Sequence, residues 1–174
     1  MLIQEIILAI HPLQVIGMSD NLQNLDIHHL LPDSRQLNNE PQHTLFFALK
    51  TAKNDGANYI PQLAERGVRA FVLEKSSLDT LDALGNLDHL VLLVVENALL
   101  ALQQLAAFKR SLYQGPVIGI TGSNGKTVVK EWLYQLLKDD YRITRSPKSY
   151  NSQIGVPLSV WQLSEKTELA IFEA

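Results

Sequence analysis

Gly119-Ile-Thr-Gly-Ser-Asn-Gly-Lys-Thr127 is the segment whose residue types and spacing point most directly to chemistry. Glycines at 119, 122 and 125 lead into a lysine and a hydroxyl residue. Glycine alone adopts the backbone angles that turn successive N–H groups toward one point and lets an anion approach closely. In such a loop Lys126 reaches β- and γ-phosphates and the Thr127 hydroxyl ligates Mg²⁺. The strict pattern G-x-x-x-x-G-K-[ST] is not met, because Ile120 stands at its first glycine; G-x-x-G-x-x-G-K-T is met. The bland alternative is a glycine-rich turn with an incidental lysine. Its flanks argue for an ATP-type site over Thr121, Gly122, Ser123, Asn124, Gly125, Lys126 and Thr127. Glu173 ends the apolar run Leu169–Phe172, where a carboxylate at a strand end can help hold a nucleotide's Mg²⁺.

The flanks are a strand expected at Val117–Ile120 and a helix at Lys126–Lys138, with Val129, Trp132, Leu133, Leu136 and Leu137 on one stripe. A short strand around Arg142–Thr144 and a helix near Val156–Leu163 follow. Ahead of the loop, Leu45–Leu49, Ala70–Leu73 and Leu90–Val95 read as strands covered on both faces. Helices are expected at Ile60–Arg66, with Pro61 in its first turn and Gly67 after it, and at Leu78–Leu84. Asn97 can cap a helix over Ala98–Leu112, apolar nearly all round and so expected to be buried. Ile3, Ile6, Ile7 and Ile10 fit an amphipathic helix; Glu5 and the lack of a basic start argue against a signal peptide. This alternation predicts an α/β fold with a largely parallel sheet, and Gly115-Pro116 punctuates it into residues 1–113 and 114–174.

The 174 residues are 46% hydrophobic and 19% charged, an ordinary globular composition. A net charge of −3 gives no general field for nucleic acid, so an anion site must be built locally. Without cysteine there is neither disulfide nor thiolate metal site, and no stretch approaches the ~20 apolar residues of a membrane span. A cytoplasmic monomer is expected. The chain stops one residue after Glu173 with no closing helix, so a fragment without activity of its own is expected.

Three segments carry a family resemblance. Thr121-Gly-Ser-Asn-Gly-Lys-Thr127 resembles the T-G-[ST]-[NS]-G-K-T loop of the Mur ligases, which also lacks the first glycine. Asp33-Ser34-Arg35, then Leu45-Phe-Phe-Ala-Leu49 and Asp55-Gly56, is similar to the D-S-R…L-F-x-A-L…D-G signature of their N-terminal domain. Asn151-Ser-Gln-Ile-Gly-Val-Pro157 is similar to the N-x-x-I-G-V-P segment of the branch that adds D-alanyl-D-alanine, and SPKSYNSQIGVPLSVW to ligase halves fused to an alanine racemase. The resemblance implies a small N-terminal α/β UDP-binding domain over 1–113. The start of a P-loop, parallel-sheet ATPase domain would occupy 114–174. It implies a peptidoglycan-precursor ligase using ATP and Mg²⁺, with UDP-N-acetylmuramoyl-tripeptide and D-alanyl-D-alanine as partners. Lys126 would be catalytic, Thr127 and Glu173 would hold the metal, and Ser34, Arg35, Phe47, Ala48 and Asn151 would contact the UDP substrate. The family's carbamylated lysine, histidine and third domain would lie beyond Ala174. His43-Thr44 departs from the family's Gly-Asp pair, and Thr51-Ala-Lys-Asn from its glycine.

Other readings stay open: the related ligase adding the third amino acid, a P-loop kinase or GTPase, or a non-catalytic nucleotide- or UDP-binding module. The missing first glycine and the domain ahead of the loop count against a kinase or GTPase. His28-His29, lacking cysteine and spaced carboxylates, reads as a surface turn. Arg35 could brace Asp33 or meet an anion, and Arg145 and Lys148 could face solvent or substrate. Phe46, Phe47, Trp132 and Trp161 are expected in the core.

Overall fold

The computed structural model describes residues 1–84 and 89–174, which form two compact units, Met1–Leu102 and Gln103–Ala174. The first unit runs α1 (Ile3–Ile10), β1 (Gln14–Ile16), β2 (His29–Leu31), β3 (Thr44–Phe47), α2 (Ile60–Glu65), β4 (Ala70–Glu74) and β5 (Val91–Val95), then enters α3 (Ala98–Leu112). Its sheet has the order β1-β5-β4-β3-β2, parallel throughout except for β1 against β5. All residues of β3 and β5 are buried, as expected of apolar runs covered on both faces. Phe46 and Phe71 meet edge to face within that core, together with Ile60, Leu63 and Leu92. Ile3, Ile6 and Ile10 are the buried side of α1.

The second unit continues with β6 (Val117–Ile120), α4 (Lys126–Leu137), β7 (Ile143–Arg145), α5 (Gly155–Trp161) and β8 (Leu169–Glu173), with parallel sheet order β6-β8-β7. The alternation along β8 splits its apolar run between two layers. Leu169 and Ile171 pack with Leu133 and Leu137 of α4, while Ala170 and Phe172 pack with Val160 of α5 and Ala106 of α3. The two compact units divide inside α3, whose Ala106 packs on the second sheet.

Four expectations change. The helix α3 is not buried all round; Ala98, Ala101, Leu102, Leu105 and Ala106 are buried, whereas Leu100 and Leu112 are exposed. The stripe on α4 is rotated from the one expected: Lys130, Leu133 and Leu137 face inward, and Trp132 and Leu136 are 67% and 74% exposed. Trp132 is therefore not a core residue, and Trp161 is half-buried with the Lys109 ammonium 5.4 Å from its ring. The segment Lys75–Leu84 is 3₁₀ rather than α-helical. Among the described residues no helix is long and apolar enough to cross a membrane.

The D-G of the N-terminal signature has a structural cause. Asp55 caps the short helix that follows, its carboxylate accepting from the Ala57 N–H at 2.9 Å and the Ser77 hydroxyl at 2.6 Å. Gly56 lies against the end of β3, where a Cβ would stand 2.8 Å from the Ala48 backbone.

Candidate functional site

The loop between β6 and α4 has the geometry its glycines imply. Gly122 and Gly125 take φ of +141° and +79°, so a side chain at either would be strained. Thr121 through Gly125 are exposed, and no side chain caps the first turn of α4. Its free N–H groups and the helix dipole make that end a place for an anion. The Lys126 ammonium folds back over the loop and donates to the Gly122 carbonyl at 2.6 Å.

Behind the loop lies a buried charge network. Thr127 donates to Glu173 Oε2 at 3.1 Å, and Glu173 is fully buried at the end of β8. Glu173 Oε1 stands 2.7 Å from the ammonium of Lys130, itself fully buried. That contact is an ion pair out of line for a hydrogen bond; Lys130 aims its donors at the Ser146 and Lys148 carbonyls instead. Ser146, also buried, accepts from the Glu173 N–H at 3.0 Å and fixes the strand end. The hydroxyl of Thr127 and the carboxylate of Glu173 are thus oxygen donors at one point, the ligand type a hard cation such as Mg²⁺ takes.

Sequence reasoning missed Lys130 and Ser146. The available signal was spacing, since Lys130, Leu133 and Leu137 are i, i+3 and i+7 on one helix face. Arg145 pairs with Glu131 and stacks over the Tyr134 ring at 4.0 Å, while the Lys148 side chain is exposed. Asn151 is exposed at the rim of an open hollow of about 480 Å³ that Arg110 and Val156 also line.

In the first unit, Asp33-Ser34-Arg35 forms a tight turn. The Asp33 carboxylate accepts from the Arg35 N–H and, in a fork, from Arg35 Nε at 2.9 Å and Nη2 at 2.8 Å. Arg35 is 87% exposed, so here it braces Asp33 from the solvent side. That guanidinium holds the Asp33 carboxyl at a pKa of about 2. Asp33 should titrate by NMR near that value and return toward ~3.9 in Arg35→Ala. Because the folded pKa is depressed, the turn's pairing is complete above the unfolded value and is lost as pH falls through about 2. Phe47 and Ala48 are 0% and 1% exposed, so their side chains belong to the core; Leu49 and Lys50 are the first to reach the surface. Ser34 is half-buried. Of the departing residues, Thr44 is buried and donates to the Glu40 carbonyl at 2.9 Å.

Two family models match the chain: "Mur ligase family, catalytic domain" over residues 26–110 and "Mur ligase middle domain" over residues 120–174. The chain belongs to the Mur ligase family. It is 37% identical over 147 residues to the UDP-N-acetylmuramoyl-tripeptide–D-alanyl-D-alanine ligase of Bacillus subtilis, covering 84% of this chain and 30% of that one. To the ligase of the same name from Borreliella burgdorferi it is 32% identical, covering 98% and 37%. Its structure resembles MurF from Acinetobacter baumannii with a TM-score of 0.81 at 26% identity, over 99% of this chain and 35% of that one. It also resembles Thermotoga maritima MurF, solved in complex with ADP, with a TM-score of 0.68 at 29% identity over 90% and 33%. This Mur ligase chain spans 30% and 37% of the length of those two curated relatives.

Proposed function

We propose that this chain supplies the UDP-substrate and ATP-binding portions of a cytoplasmic ligase that joins D-alanyl-D-alanine to UDP-N-acetylmuramoyl-tripeptide. The observation that carries the reading is the open glycine loop with Lys126 and Thr127 at the start of α4 and Glu173 behind Thr127. The matching relatives bear the name of that reaction.

A carboxylate is a poor electrophile. Transfer of the γ-phosphoryl group to the tripeptide's terminal carboxylate gives an acyl phosphate, which the dipeptide amine attacks with release of phosphate. The N–H groups of residues 121–125 and the first turn of α4 would cradle the phosphates. Lys126, released from Gly122, would offset charge developing on the transferred group. Mg²⁺ held by Thr127 and Glu173 would neutralise phosphate oxygens. Lys130 fixes one oxygen of Glu173, which leaves the other directed at Thr127.

For the first unit we assign the UDP end of the substrate to the turn at Ser34 and Arg35, with Asn151 of the second unit a further contact to the substrate. If Ser34 donates one hydrogen bond, Ser34→Ala should weaken UDP binding by about 0.5–1.5 kcal/mol. Calorimetric titration of UDP into wild type and Ser34→Ala tests this; unchanged affinity would make the motif purely structural. The reaction is tested in a protein of the relatives' full length. Phosphate release should require both the UDP-linked tripeptide and D-alanyl-D-alanine, and release that ignores either would refute the proposal.

A further inference from the structure

The histidines 28 and 29 do not sit in a turn. His29 opens β2, an edge strand of the first sheet, and the fold brings carboxylates to both rings. His29 Nε2 lies 2.8 Å from Glu40 Oε2, and His28 Nδ1 lies 3.8 Å from the same oxygen. One ligand atom from each of His28, His29 and Glu40 falls within 4.8 Å of the other two. A tetrahedral ion with bonds of about 2.0–2.1 Å needs its donors roughly 3.3 Å apart, within the range already present.

The shell behind these groups is also built. The far nitrogen of His28, Nε2, is 3.0 Å from Asp26 Oδ2, the carboxylate–histidine arrangement that fixes the tautomer of a metal-ligating ring. Asp26 is in turn held by the Met1 ammonium at 2.7 Å. The His43 ring stacks on His28 with centroids 4.5 Å apart, and its Nδ1 bonds the Asp26 carbonyl at 2.8 Å. His43, the departure from the family pattern, thus packs against His28. The hydrogen bond from His29 keeps the Glu40 carboxyl below its usual range, and the Met1 ammonium and His28 do the same for Asp26.

We propose that His28, His29 and Glu40 form a binding site for a borderline divalent transition-metal ion of the Zn²⁺ class, with Asp26 and His43 as supports. Two imidazoles and one carboxylate leave a position open to solvent, and suit Zn²⁺ rather than Mg²⁺. The ion would join His29 to Glu40 and so pin both ends of the segment that carries Asp33-Ser34-Arg35.

Zn²⁺ alone, titrated calorimetrically into the untagged chain, should show one saturable site that excess Mg²⁺ does not displace. His29→Gln and Glu40→Gln should each weaken it about tenfold or more. Both positions are substantially exposed, so the fold should survive. In the wild type, Zn²⁺ should shift the ring resonances of His28 and His29 and leave those of His11 and His89 unmoved, a readout that needs no variant. The absence of a saturable site, affinity unchanged in both variants, or shifts confined to other histidines would overturn the proposal.

Discussion

Lys130→Met should destabilise the second unit by about 3–5 kcal/mol, the cost of leaving one partner of a buried ion pair uncompensated. Lys130 and Glu173 are both fully buried at 2.7 Å, so water cannot screen the carboxylate once the ammonium is gone. The substitution keeps the volume and the inward position beside Leu133, so the loss reports the ammonium, its charge and its hydrogen bonds to the Ser146 and Lys148 carbonyls, rather than packing. Adding Glu173→Gln should restore part of it, since a neutral amide needs no counter-charge and can still accept from Thr127. The measurement is urea unfolding followed by tryptophan fluorescence, which reads the second unit because Trp132 and Trp161 both lie there. A loss below about 1 kcal/mol, or a double variant as unstable as the sum of its parts, would mean that the pair is effectively solvated.

In a protein of the relatives' full length, Lys126→Ala should cut ATP-dependent turnover by about 10²–10³-fold or more, the scale for removing one group that stabilises developing charge. Binding of the UDP-linked tripeptide should be nearly unchanged, because Ser34 and Arg35 lie in the first unit and effects at separate sites add independently. The helix should form as before, since the Lys126 ammonium contacts only the Gly122 carbonyl among the described residues. Measuring kcat beside the UDP-substrate Kd separates the two functions; a parallel loss of both would contradict their assignment to different units.

Much of the fold could be read directly because it is written in local patterns. Strands β4, β5, β6 and β8 are uninterrupted apolar runs between glycine- and polar-rich breaks, and the helix over Ala98–Leu112 starts at Asn97, whose Oδ1 accepts the Leu100 N–H. What escaped depends on partners distant in sequence. On α4 the apolar residues Val129, Trp132 and Leu136 outweigh a lysine in any hydropathy count, and Lys130 is held inward by partners further along the chain, the Ser146 and Lys148 carbonyls and the Glu173 carboxylate. Strands β1 and β2 have three residues each at the two sheet edges, too short to show a period. His28 and His29 looked isolated because their carboxylates come from Asp26 and, 11 residues beyond His29, from Glu40. The place of the glycine loop between β6 and α4, and of Glu173 at the end of β8, was legible from local pattern. The buried packing of Phe47 and Ala48 follows from the sheet rather than from the motif that contains them.

The central claim is that Gly119–Thr127 is a phosphate cradle completed by Lys126. Titration of ADP with Mg²⁺ into this chain tests it most directly, comparing wild type with Lys126→Ala under identical salt. One saturable site is expected in the wild type, weakened at least tenfold in the variant, about 1.4 kcal/mol or more. No saturable binding, or the same affinity in both proteins, would contradict the account.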